Sequence, residues 1–136
     1  MSNHITALET GLYNKLTSQA SLITALGGTV IYSGLAPQPA PAKYVVYQWQ
    51  GGGDANESPT RMRNLLYTVR GIATNAEAAR SIDSAIDDAL HKATLTVSGW
   101  TNIQTQRETD INFIEQDAGG VNRYHAGGIY RIIIDS

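Results

Sequence analysis

The side chains able to do chemistry are three histidines, a run of aspartates, two glycine tracts and a scattered set of arginines. His4, His91 and His125 could ligate a metal or move protons, but they fall on three different elements. None has a partner at a ligand spacing such as His-x-x-x-His, so surface or interface histidines are expected. Asp83, Asp87 and Asp88 could act as paired carboxylates, since positions 83 and 87 are neighbours on a helix. General acid catalysis requires a desolvated carboxyl, and these residues lie off the apolar stripe, which predicts a solvated face. Gly51, Gly52 and Gly53 resemble the start of a phosphate loop. No Gly-Lys-Ser/Thr follows them and no helix begins behind them, so no phosphate site is expected. In Ala126-Gly127-Gly128 the glycines open a strand, where they mark a bulge or a close backbone approach. Ser33 and Ser98 each precede a glycine, but no Gly-x-Ser-x-Gly elbow exists. The Asn56-Glu57-Ser58 sequon carries no meaning without a secretory context. Catalytic residues, cofactors and metals are therefore not expected.

Arg61, Arg63, Arg70, Arg107, Arg123 and Arg131 fall on β segments and on one long loop. Arginine makes bidentate contacts and tolerates desolvation better than lysine. Two readings stay open: ordinary surface charge, or subunit contacts at sheet edges and loops.

The elements that position these residues follow from periodicity. Ile5, Leu8, Leu12 and Leu16 mark one face of a helix over residues 4–26, with Asn3 as N-cap. Gly11 weakens that helix and Thr17-Ser18 can break it. Ser21 to Leu26 reads as a last short turn, closed by Gly27 in the left-handed conformation. Val30 to Tyr32 is a short strand. Pro37, Pro39 and Pro41 then hold the chain extended. Tyr44 to Trp49 is a strand with Val45, Tyr47 and Trp49 on one face and Tyr44, Val46 and Gln48 on the other. Both faces carry apolar groups, so the strand is central or covered by a subunit. Residues 50–62 read as a long mobile loop, because three glycines cost entropy to order and apolar anchors are few. Arg63 to Thr74 is a strand. Asn75 caps a helix over Ala76 to Lys92, with Ala79, Ile82, Ala85, Ile86, Ala89 and Leu90 as its apolar stripe. Thr94 to Val97, Trp100 to Gln116 (one strand or two) and Arg123 to Ile134 complete the β content, with a turn at Asp117-Ala-Gly-Gly. The order α-β-β-β-α-β-β-β predicts an α+β fold, a mostly antiparallel sheet with two helices packed on one face.

The chain of 136 residues fits one domain, taken as residues 1–136, without disulfide staples, since it has no cysteine. A net charge of −2 lacks the basic footprint of a sequence-specific nucleic-acid binder. No apolar run approaches the ~20 residues of a membrane span, and no secretory signal is expected. Charged residues make up only 16%, which fits either a polar surface or one partly buried in an assembly.

The succession of an N-terminal helix, Ala25-Leu-Gly-Gly28, the Val30-Ile-Tyr32 strand, a proline loop and Lys43-Tyr-Val-Val-Tyr47 resembles the tail-completion, or tail-terminator, proteins of long-tailed bacteriophages. The Leu65 to Ala73 strand, the Ala-rich helix from Ala76 to Leu90, Leu95-Thr-Val97 and the closing pair Asn102 to Gln116 and Arg123 to Ile134 continue the resemblance to about residue 135. It implies a virion protein of the head-proximal tail, made in the host cytoplasm, that forms a ring, usually a hexamer. Such a ring caps the tail tube, ends its elongation and offers a joining surface to the head connector or stopper. Genomic DNA passes through its bore without sequence-specific binding, and no membrane is involved. These proteins are not enzymes, and the resemblance supplies no catalytic residues. On this reading Gly51, Gly52, Gly53, Arg61, Arg63 and Arg123 are the candidate partner or subunit contacts, and the loop 50–62 orders on the tube. The alternatives are another neck or minor tail component, or a small non-viral α+β ligand-binding domain.

Overall fold

The computed structural model describes residues 4–54 and 62–136. The chain runs α1 (His4–Thr17), α2 (Ala20–Leu26), β1 (Ile31–Ser33), β2 (Tyr44–Asp54), β3 (Met62–Ala73), α3 (Ala76–Leu90), β4 (Thr96–Val97), β5 (Trp100–Gln116) and β6 (Asn122–Asp135). The fold is α+β, but it has three helices rather than two. The Thr17 hydroxyl donates to the Tyr13 carbonyl and the Ser18 hydroxyl to that of Lys15. These side chains satisfy carbonyls that a continuing helix would have used, so the expected single N-terminal helix divides here. Gly27 closes α2 at φ 78°, its N–H donating to the Ile23 carbonyl. Gly11 has a positive reason to be glycine. A Cβ there would lie 2.3 Å from the Thr96 carbonyl oxygen, so its absence lets α1 settle onto β4.

All six strands form one sheet in the order β1-β2-β3-β6-β5-β4. It is mixed, which corrects the antiparallel expectation: β1 pairs parallel with β2, Ile31 opposite Val45. A parallel neighbour requires the chain to travel back along the strand, and the proline-rich segment 34–43 makes that return. Ala36 and Ala40 of this segment pack on Tyr44, Val46 and Ile72. The second apolar face of β2 is thus covered by the chain's own crossover. The helices cover the opposite face, where Leu8, Leu12, Leu16, Leu22, Ile82, Ile86 and Leu90 meet Val45, Leu65, Tyr67, Val69, Tyr130, Ile132 and Ile134 in the main core.

α3 begins at an Asn75 cap whose side chain accepts from Ala78 N–H at 2.8 Å. It stops at Leu90, short of Lys92, because Lys92 turns to φ 60° and donates its N–H to the Thr105 carbonyl of β5. β5 is one 17-residue strand that keeps its register with β6 through two bulges, at Asn102/Gln104 and Arg107/Thr109. The β5–β6 turn is built by Asp117, whose carboxylate accepts from the N–H groups of Gly119 and Val121.

The expected loop 50–62 is shorter at its start, since Gly51 to Asp54 continue β2 against Leu66 to Arg63. Pairing with β3 supplies the anchor that side chains do not. The rest of that loop, with Arg61, lies outside the described residues, as does the Asn3 cap.

Candidate assembly interface

Gly51 follows a bulge in β2 and has open space where a Cβ would project. The indole N–H of Trp49 donates to its carbonyl at 2.8 Å. Gly52 is held at φ 98°, and a Cβ there would stand 2.1 Å from the Asn64 carbonyl oxygen. Its conformation and the close approach of β3 both require glycine. Gly53 sits opposite Asn64 and Asp54 opposite Arg63, so the three glycines form a strand end.

Arg63 lies on β3 with its Nε buried and without a hydrogen-bond partner. Arg123 turns inward. It donates to the Pro41 carbonyl at 2.8 Å and to Asp117 at 3.4 Å, with 12% of its side chain exposed. The guanidinium staples the proline crossover to the β5–β6 turn, a contact across 82 positions that no local pattern announces. The Asp117 carboxyl is held below its usual range by the Val121 and Gly119 amides and by Arg123.

Two other expectations change. Asp83 is largely withdrawn from solvent, whereas Asp87 keeps 40% of its side chain exposed and Asp88 is exposed as expected. Arg107, reaching from β5, makes a bidentate pair with Asp83 at 2.7 and 3.0 Å and also donates to the Gly127 carbonyl. Asp87 accepts from the Tyr130 hydroxyl at 2.9 Å. Burial opposes the Arg107 charge, but the bonds to Asp83 and Tyr130 outweigh it and raise its pKa above the ordinary value. His125 is buried rather than superficial. Its ring stacks on Phe113 at 4.2 Å, and its Nδ1 accepts from Arg70 Nε at 3.1 Å. Burial first, then the Arg70 charge, push its pKa down, against the weaker pull of Glu115 at 3.6 Å. His91 accepts from the Arg107 amide and His4 packs beside Trp100. Among the described residues no group of three histidines or acids converges as a metal site. The hollow beside α1 has one carboxylate, Glu9, already taken by the Ser33 and Tyr67 hydroxyls.

What stands open is a sheet edge. β4 pairs with β5 only at Trp100 and Thr101. Lys92 and the His91 ring then bond to Thr105 and Arg107. From Glu108 to Gln116 no described residue pairs with the outer side of β5, and all of these residues except Ile111 are exposed. Phe113, Ile114 and Val121 are large apolar residues exposed at this end, and Trp49 is exposed on β2. The sequence did carry a signal for this. Phe113-Ile114 places adjacent apolar side chains on opposite faces of a strand whose other residues here are mostly polar.

Exposed strand edges with surface apolar residues at both give the described residues the character of an assembly component. The chain matches the family described as tail completion protein gp17 over residues 10–134, and it belongs to that family. It is a structural protein of the phage tail, located in the virion. A chain of a solved virion of a native gene transfer agent particle has the same fold, with a TM-score of 0.80 at 21% identity and full coverage of both chains. A search of curated protein sequences returns no match.

Proposed function

We propose that this protein caps the phage tail tube as a homo-oligomeric ring, hexameric in the virion, that ends tube elongation and provides the joining surface for the head connector. The observation that carries this reading is the long unfilled edge of β5, with Phe113 and Ile114 exposed along it, in a chain of a tail-completion family. A monomeric protein would normally shield such an edge. Gly51, Gly52, Gly53 and Arg63, at the end of the β2–β3 pair, contact a neighbour, and Arg61 joins them in that contact. Arg123 supports the ring from within, through the crossover it holds. Genomic DNA passes the bore without specific contacts, consistent with a net charge of −2.

Electron microscopy of particles lacking this chain tests the proposal. A terminator predicts tails of irregular excess length that fail to join heads, restored by added protein. Tails of normal length that simply lack heads would instead assign it to another part of the neck. Light scattering of the protein, alone and with isolated tubes, should reveal a ring-sized species in at least one case.

A further inference from the structure

The sheet has two incomplete edges, and they are of opposite kinds. β1 covers β2 only through Tyr47, so the outer side of β2 from Gln48 to Asp54 has no partner among the described residues. At the other end the same is true of β5 from Glu108 to Gln116. Neither stretch contains proline or lysine, two of the usual guards of an edge strand. In the order β2-β3-β6-β5 every pair is antiparallel, so β2 and β5 run in opposite directions. Two copies in the same orientation therefore bring β5 of one against β2 of the next as an antiparallel pair.

We propose that successive copies of this chain join by strand addition, the free half of β5 pairing with the free half of β2 of its neighbour. This rests on the ring reading above and names the surface that closes it.

Backbone alternation supports the pairing. Thr105 C=O and Arg107 N–H point outward, to Lys92 and His91. Carried through the bulge at Glu108, the alternation turns the N–H and C=O groups of Asp110, Asn112, Ile114 and Gln116 outward as well. On β2, Val45 N–H points outward to Val30, and the alternation with its bulge leaves Trp49 and Gly52 outward beyond β1. Within one chain Gly52 is level with Thr105, through Leu65 and Ile132. Seating Gly52 of the neighbour opposite Asp110 or Asn112 shifts the copies by about four or six positions, not counting the bulged Glu108. That is roughly 14 or 20 Å along the strand for about 19 Å across four strands, a strand tilt of about 35–47°, close to the tilt of closed barrels. The two edges are thus offset as a closing ring requires, rather than level as in a flat ribbon.

The apolar side chains agree. Trp49 and Ile114 both project on the helix side of the sheet, and they are 44% and 61% exposed. In either register Ile114 of one copy lies opposite or diagonal to Trp49 of the next, within cross-strand reach. The absence of side chains at Gly51, Gly52 and Gly53 leaves the β2 edge open to another backbone. A β5–β5 pairing would satisfy one edge and leave β2 bare. The heterologous pairing fills both edges of every copy and propagates around a ring.

The chain has no cysteine, so engineered pairs report directly. Single variants Gly51→Cys and Gln48→Cys on β2, and Ile111→Cys and Phe113→Cys on β5, which project on the same face of the sheet, are assembled on isolated tail tubes. They are assembled singly and in β2/β5 mixtures, then oxidised. Disulfide dimers are expected in the mixtures and not in any single-variant sample. Dimers from a β5 variant alone would show isologous pairing and overturn the proposal. Assembled rings with no dimers in any combination would overturn the edge pairing while leaving the ring reading in place. A protein that joins no second copy with or without tubes would end both. As an independent arm, Asn112→Pro removes an outward N–H without breaking the β5–β6 ladder. The monomer should keep its unfolding midpoint, and ring occupancy on tubes should fall at least tenfold. Unchanged occupancy would overturn the proposal.

Discussion

Arg107 on β5 grips Asp83 on α3 with two parallel hydrogen bonds of 2.7 and 3.0 Å, and the same guanidinium donates to the Gly127 carbonyl of β6. A helix and two strands are thereby locked at the point where β5 leaves the core to become an edge. Gly128 makes room for it: a Cβ there would stand 2.6 Å from Arg107 Nε.

Removing that guanidinium leaves Asp83 and a carbonyl short of partners in a largely enclosed site. Arg107→Ala should destabilise the fold by about 3 kcal/mol, and Arg107→Lys should recover less than half, since an ammonium cannot reproduce the fork. Urea unfolding monitored by tryptophan fluorescence measures both.

His125 titrates against burial and against the neighbouring Arg70, so its folded pKa lies below the ordinary value of 6.5. The unfolded chain then binds the proton more readily than the folded one. The contribution is fully present above pH 6.5 and is lost as pH falls through the depressed folded value. Stability should decline on acidification across that window, and His125→Gln should flatten the decline. Thermal unfolding between pH 7.5 and 5 tests this, and an unchanged slope in the variant would count against it.

Two glycines of one sheet should respond very differently to the same change. A Cβ on Gly127 would lie 2.3 Å from the Val69 carbonyl oxygen and 2.4 Å from Arg70 Cα, both backbone atoms of the adjacent strand. Gly127→Ala should cost about 3 kcal/mol or more. Gly51→Ala meets nothing within 4 Å and should stay within about 0.5 kcal/mol. Chemical denaturation of the two variants side by side provides the comparison.

Asn75→Ala deletes the side-chain acceptor for the Ala78 amide at the start of α3. The expected loss is about 1 kcal/mol. Asn75→Asp should retain most of the stability, because the carboxylate accepts the same bond and suits the helix N-terminus. Circular dichroism melts of the three proteins decide it.

Local patterns were enough to place the helical segments and most strands, though not to divide the N-terminal run into two helices. The Leu8, Leu12, Leu16 spacing, the Asn75 cap, the Gly27 terminus and the Asp117 turn each depend on residues within a few positions of one another. So does the close approach expected at Gly127. The order of elements also suggested the tail-completion family. Only the tertiary structure decided how distant segments meet. The proline segment crosses the sheet and makes β1 parallel, Arg123 reaches Pro41, Arg107 draws Asp83 out of solvent, and His125 sinks beneath Phe113. These contacts join residues far apart in the chain, and a linear pattern does not encode which partner a given arginine or strand edge will find. The open edge of β5 belongs to the same class, because an edge is defined by the neighbour that is missing.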